Sequence, residues 1–304
     1  NGNIKYLQRT NTLGATTEKF TYNYLNTTGG GSNTNYNTNK LHSVEHDNSG
    51  SPQTYATYTY DGRGQLIAEA AGPNNTTKFI KYDVMGKVVE VARDINFTQK
   101  VVQYVYNERG QRIIKRNYNG SFQHIQNTYY IGDVIYTQVV NSGIPGPAVP
   151  QEYVIRGLGT GRTAIYFRQL NVYAYELTDH LSNVRAVIAK NGSTLEVRSY
   201  SDYYPFGKVV REYIAPEQYR YGYQGVNSEA ERETNWNSFT LRMYDSKIGR
   251  WLSADPAMQY ASPYVGMGNQ PTSGYDQNGD WFFIGALIGA ATKTFELLIT
   301  GDLL

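Results

Sequence analysis

YTYDGRGQLIAEA (residues 58–70), IKYDVMGKVVEVA (80–92) and YVYNERGQRIIKR (104–116) follow one template. Each has Tyr, then Asp or Asn, two variable residues, Gly, a polar residue and an alternating apolar run. The anchors are Tyr60, Tyr82 and Tyr106. Asp or Asn opens a tight turn by bonding its own backbone, and Gly64, Gly86 or Gly110 supplies the positive φ that closes it. Leu66, Val88 and Ile113 then begin runs suited to a strand. One hairpin has no means of burying its apolar face alone, so successive units pair into a continuous sheet. The tyrosines stack from repeat to repeat, each hydroxyl needing water or a polar partner. Degraded copies precede the three: YNYLNTTGG carries Tyr24, and YNTNKLHSV carries Tyr36 without the glycine. The template predicts an all-β chain; an ordinary sandwich with hairpins of similar length is the alternative reading.

Composition supports strands and turns. There are 29 tyrosines and 30 glycines, while charged residues make up only 18%. The formal charge of +2 gives no reason to expect nucleic acid or an anionic membrane surface. Cysteine is absent, which excludes disulfides, thiolate chemistry and Cys-ligated zinc. That absence suits a bacterial exported protein. The four histidines, His42, His46, His124 and His180, are scattered, and a metal needs three or four convergent donors; no cofactor is expected. Residue 1 is Asn and no signal peptide follows, so the chain reads as an internal or processed piece.

The template resembles the YD repeat of the RHS family, and the second half of the chain extends the likeness. YELTDHLSNVRAVI (Tyr175 to Ile188), DYYPFGKVV (Asp202 to Val210) and YRYGYQGVNSE (Tyr219 to Glu229) are similar to successive blocks of the RHS repeat-associated core. So are FTLRMYDSKIGRWLSADP (Phe239 to Pro256), SPYVGMGNQP and YDQNGD, in the family's order and in a form most like RHS proteins of the Bacteroidetes type. The resemblance implies YD hairpins spiralling into a hollow, cocoon-like shell, closed by the core domain, with a toxin or effector often following. It divides the chain into a YD-repeat region over 1–150, a core domain over 151–280 and the start of an effector or linker over 281–304. The proline-bearing segment NSGIPGPAVPQ (Asn141 to Gln151) is expected to separate the first two, and NTTGGGSNTNYNTN (Asn26 to Asn39) to form an exposed excursion. A chain of this length supplies only the last turns of such a shell, as a short form or with an upstream portion missing.

Two aspartates stand out near the end, Asp255 before Pro256 and Asp276 before Gln277-Asn278-Gly279. As residue types they read first as turn formers. A second reading is catalytic: two carboxylates brought close share a proton, so one acts as base and the other as acid on water, without metal or cofactor. The RHS resemblance implies the second, since similar Asp turns form an intramolecular aspartyl protease in that family. It places Arg250 as the assisting arginine and Asp280–Trp281 as the scissile bond. Gln277 stands where the family usually has proline, and Asp280 where it commonly has an apolar residue. Both departures leave activity open.

The segment WFFIGALIGAATKTFELLITGDLL changes character. Ile284, Leu287, Ile288, Ala291, Phe295, Leu298 and Ile299 follow helical spacing, with Thr292, Lys293 and Glu296 largely opposite. Its apolar run is too short for a confident membrane span, which needs about 20 residues. Three readings stand: an amphipathic helix packed inside the shell, the opening of an effector, or a membrane-inserting effector helix. GLGTGR (Gly157 to Arg162) lacks the setting of a phosphate loop and reads as a hairpin loop, and His180 in TDHLSNVR as a structural turn residue. The function implied is a shell and core that encapsulates or presents a C-terminal toxin for secretion, at most a single-turnover self-cleaving protease. The implied location is secreted or at the bacterial cell surface. Its partners are its own C-terminal segment, a secretion machinery (type IX, type VI or Tc-like, with type IX mildly favoured) and an immunity protein for the effector. The alternative is a non-catalytic surface or adhesion protein with a YD-repeat shell. Glycan binding by exposed tyrosines is a third possibility.

Overall fold

The computed structural model of the chain describes residues 2–25, 38–47, 50–73, 75–157, 161–191, 193–215, 219–226, 228–276, 278–280 and 282–284. Its main element is an antiparallel sheet of 18 strands, running from Tyr6–Thr10 to Val209–Ile214. Each strand pairs with its neighbour in sequence, the short Ile144–Pro145 strand pairing back with the last residues of Val134–Asn141. Val134–Asn141 itself pairs onward to Val149–Gly157. The proline-bearing segment therefore lies within the sheet, and the sheet passes through it. The change of sheet comes later, at Ser228–Glu231, the first of four strands that end with Arg250–Trp251.

The repeat template explains the turns atom by atom. Asp61 Oδ1 accepts the amides of Arg63 at 2.9 Å and Gln65 at 2.8 Å. Asp83 Oδ1 accepts Met85 and Lys87, both at 2.9 Å. Asn107 Oδ1 accepts Arg109 and Gln111, both at 3.0 Å. The repeat tyrosines find their polar partners one unit back. Tyr82 donates to the Leu66 carbonyl at 2.9 Å, and Tyr106 to the Val88 carbonyl at 3.0 Å. Each ring thus ties its own hairpin to the start of the strand after the previous turn, a link that only works if units stack in register.

Gly64 shows how tightly the turns are enclosed. Its φ is +81°, and a Cβ there would sit 2.6 Å from the Tyr264 hydroxyl, which itself donates to the Gly64 carbonyl at 2.8 Å. Gly14 has a similar φ of +79° with nothing within 4 Å of its Cβ position. Gly14→Ala should therefore cost only the left-handed strain of about 1 kcal/mol. Gly64→Ala should cost about 2 kcal/mol or more, because Tyr264 must also move. Urea midpoints of the two variants check this; equal losses would show that Tyr264 contributes nothing.

The C-terminal third packs into the sheet. Trp236, Met243, Ile248 and Leu252 share one buried cluster with Phe20, Tyr22, Leu41, Val44, Val91 and Val102 from the first strands. A second cluster joins Tyr223, Phe239, Tyr244, Trp251 and Met267. At the far end of the sheet, the corner before Val209–Ile214 returns to the beginning: Lys208 Nζ lies 2.5 Å from Glu18 Oε1, and the Tyr204 hydroxyl 3.3 Å from Thr17 Oγ1. Side chains of the last hairpin thus reach the second strand. Phe282–Ile284, expected to open a helix, forms instead a strand paired with Gly274–Asp276. Two phenylalanines following a tight turn suit a pleated strand better than a helix. Residues 285–304, where the rest of that helix was placed, and residues 26–37 of the glycine-rich excursion lie outside the described residues.

Candidate active site

Asp276 sits in a turn built like those of the repeat. Its Oδ1 accepts the amides of Asn278 at 3.2 Å, Gly279 at 2.6 Å and Asp280 at 3.0 Å, and Gly279 has φ +87°. YDQNGD is therefore one more copy of the turn in YDGRGQ. Asp255 opens the other turn: its Oδ1 accepts the Ala257 amide at 3.1 Å, and its own amide donates to the Pro263 carbonyl at 2.9 Å. Both carboxylates are buried, at 6% and 4% exposure. As turn formers they behave as their residue types require.

What brings them together is Arg242. Its Nη2 lies 3.4 Å from Asp255 Oδ1 and 3.7 Å from Asp276 Oδ2, with all three side chains almost fully out of water. The same guanidinium donates through Nε to the Gly279 carbonyl and lies over the Trp251 ring, 4.2 Å from its centroid. Burial works against its charge, and the carboxylates of Asp255, Asp276 and Asp280 work for it. Burial pushes the Asp276 carboxyl up, against the pull of Arg242 and of the amides of Gly279, Asp280 and Asn278. One buried cation thus faces several acids, the condition under which a proton is retained by the group.

Arg250, expected beside the pair, is elsewhere. It donates to the Tyr24 hydroxyl at 3.0 Å and to the Asn39 carbonyl at 2.8 Å, between the rings of Tyr24 and Tyr264. The reason is the two-residue period of a strand. Trp251 faces Arg242, so its neighbour Arg250 faces the opposite side, into the first strands of the sheet. Arg242, in LRMYD, carried no signal in the sequence beyond its charge; its position depends on the pairing of Trp236–Phe239 with Met243–Asp245.

The carbonyl of Asp280, the acyl half of the expected scissile bond, accepts a hydrogen bond from Gln259 Nε2. The Asp280 carboxylate has a buried oxygen, Oδ1, without a hydrogen-bond partner. Gln277 and Trp281 lie outside the described residues. Among the described residues no group of three or more His, Asp or Glu side chains is placed to hold a metal. His180 meets the Thr272 carbonyl at 3.2 Å and His124 meets Asn127 at 3.0 Å. Gly157 pairs with Gly161 across a hairpin, around the GLGTGR loop. Among the described residues no helix is long and apolar enough to cross a membrane.

Comparison with known proteins follows the same lines. The family model described as Teneurin YD-shell matches residues 4–264. Salivary gland surface protein 1 of Aedes aegypti is 29% identical over 229 residues, covering 69% of this chain and 6% of that protein. The crystal structure of TcdB2-TccC3 without its hypervariable C-terminal region superposes with a TM-score of 0.59 at 20% identity, covering 86% of this chain and 13% of that one. The Photorhabdus luminescens Tc holotoxin pore, in a form carrying a TccC3 mutation, gives 0.58 at 19% identity over 86% of this chain and 13% of its own. The chain thus spans a small fraction of each of these proteins, and the two structural likenesses concern the fold.

Proposed function

The chain belongs to the teneurin YD-shell family, and from that premise we infer that it is the closing part of a β shell that encloses or presents the polypeptide following it, and that it cuts itself free after Asp280. The observation that carries this reading is Arg242 held between the buried carboxylates of Asp255 and Asp276, beside the turn that ends at Asp280. Asp255, the nearer to Arg242, is the base. Asp276, whose carboxyl is raised by burial, is the acid, with its proton on Oδ2 because Oδ1 already accepts three amides.

The step balances as a hydrolysis. Asp255 takes a proton from water, and the water oxygen bonds to the Asp280 carbonyl carbon while the π pair moves onto the carbonyl oxygen. On collapse the C–N bond breaks, its electron pair stays on the Trp281 nitrogen, and Asp276 protonates that nitrogen. The products are a carboxyl at Asp280 and a free amine at Trp281, once per molecule. Asp255 ends protonated and Asp276 ionised, a state that proton exchange with solvent reverses. Intact-mass analysis of purified chain tests the reading: a fragment beginning at Trp281 is expected, and a chain that stays whole after prolonged incubation sinks it.

The shell would act outside the cell or at its surface, with its own C-terminal segment as first partner. The TcdB2-TccC3 likeness makes a Tc-like assembly one route of delivery, beside type IX and type VI secretion. An immunity protein is expected only if the released segment is toxic to its producer. A second reading, a non-catalytic surface protein, is favoured by the buried Asp280 oxygen without a hydrogen-bond partner, since it adds a third acid beside a guanidinium already shared by two.

A further inference from the structure

Six turns built on Asp or Asn share a backbone bond that the Asp276 turn lacks. In each, the amide of the Asp or Asn donates to the carbonyl four residues on: Asn11 to Ala15, Asp61 to Gln65, Asp83 to Lys87 and Asn107 to Gln111, all at 2.9 Å, and Asn119 to Gln123 and Asp179 to Asn183 at 3.0 Å. The equivalent acceptor in the last turn is the Asp280 carbonyl. There the Asp276 amide donates instead to Gln224 Oε1 at 2.9 Å, and the Asp280 carbonyl accepts from Gln259 Nε2. The turn keeps its glycine and the side-chain bonds to the second and fourth residues, while the Gly279 amide donates to Asp276 Oδ1 where Gly64, Gly86 and Gly110 donate to the backbone carbonyl of their Asp or Asn.

Gln224 is held for that purpose. It is fully buried, and it has a positive φ of 45° although it is not glycine, a conformation that persists only where the surroundings enforce it. Its amide donates to Asn183 Oδ1 at 2.9 Å, and its side-chain nitrogen to Met267 Sδ at 3.0 Å. With Nε2 so engaged, Oε1 is the atom left to face Asp276. The YD turn would otherwise keep the Asp280 carbonyl in the plane of the hairpin, bonded to an amide that must stay with its strand.

We propose that Gln224 and Gln259 convert a structural YD turn into a cleavable one: Gln224 is a positioning residue that takes over the Asp276 amide, and Gln259 is a catalytic residue whose Nε2 donates to the released Asp280 carbonyl. This rests on the self-cleavage reading above. In the step as written, the π pair that moves onto the carbonyl oxygen is met by the Gln259 N–H, a neutral donor that needs no proton of its own. Donors aimed at a developing oxyanion strengthen as charge forms, which is why losing one slows acyl transfer steeply. An arginine or lysine here would add charge beside carboxylates that the mechanism needs ionised and protonated in turn; an amide avoids this.

The test uses the full chain. Asp280–Trp281 is the one Asp-Trp step in the sequence, so ¹³C-carbonyl aspartate with ¹⁵N-tryptophan gives a single correlation for that peptide. It is recorded in Asp255→Asn, where the bond is expected to stay intact, with and without Gln259→Met. Loss of the donor should move the Asp280 carbonyl resonance upfield, and in the otherwise wild-type chain Gln259→Met should slow release of the Trp281 fragment about a hundredfold. Gln259→Glu should be slow at neutral pH and recover relative to wild type in acid, where its carboxyl donates again; a merely structural role gives no such recovery. An unmoved resonance overturns the proposal whether or not the chain cuts itself. Wild-type rates in Gln259→Met overturn it while leaving the protease reading intact. A wild-type chain that never cuts removes that reading, and the catalytic role of Gln259 with it.

Discussion

Asp255→Asn should abolish release of the fragment beginning at Trp281, lowering the rate by at least about a hundredfold and up to about ten-thousandfold, the range that a positioned general base contributes. Asparagine keeps the turn, since its oxygen still accepts the Ala257 amide, so the chain should fold normally. What it removes is the only acceptor of a water proton in the pair: Asp276, raised by burial, holds its own proton as the acid. Arg242 then faces one carboxylate fewer, and the proton on Asp276 becomes easier to lose, which further disarms the acid. Release should also slow as pH rises, because the raised carboxyl of Asp276 must be protonated to serve the leaving nitrogen. N-terminal sequencing and intact mass over a pH series read both effects. Equal rates in wild type and Asp255→Asn would remove Asp255 from the chemistry.

The sheet was legible because its signal is local and repeated. Asp61, Asp83 and Asn107 each need only the residues two and four positions on, so a turn read from YDGRGQ is a turn in space. Asp255 and Asp276 were legible for the same reason, as turn residues in recognisable company. The arginine was not. Arg250 and Arg242 are both close in sequence to Asp255, and which of them faces it depends on the face that Trp251 takes. A shift of one residue along a strand reverses that choice. Gln224 and Gln259 carried no signal at all, because a neutral amide has no motif and its role appears only when an expected backbone bond is found missing. The C-terminal helix is misread at its start for a related reason: the apolar spacing counts Ile284, which pairs with Gly274 of the adjacent strand.

Glu231→Gln should cost about 3–5 kcal/mol, the usual loss when one member of a buried ionic network is removed and its partners stay charged. The Glu231 side chain is fully buried, with Lys115 Nζ at 2.7 Å, Arg112 Nη1 in contact and the Tyr104 hydroxyl at 3.0 Å. Lys115 also meets Glu233 at 2.9 Å, and Arg112 meets Glu229 at 3.3 Å. Burial alone would raise the Glu231 carboxyl; Lys115 and Arg112 overcome it and bring it down to about 2 from an ordinary 4.5. A carboxyl lowered in the fold contributes stability above its unfolded value and loses it as pH falls, so wild type should lose about 3 kcal/mol between pH 4.5 and 2 from this group. Glu231→Gln should lack that part of the acid transition, and the two stability curves should converge in acid. Parallel curves in urea, or a gap below about 1 kcal/mol at pH 7, would show that the network is not a stabilising seam. The consequence reaches the candidate site, because Ser228–Glu231 is the first strand of the small sheet whose third, Met243–Asp245, follows directly on Arg242. If that seam fixes where Arg242 stands between its two carboxylates, Glu231→Gln should also slow self-cleavage at a temperature where the variant is still folded. Unchanged cleavage in a folded variant would mean that the small sheet holds its position through its apolar cluster alone.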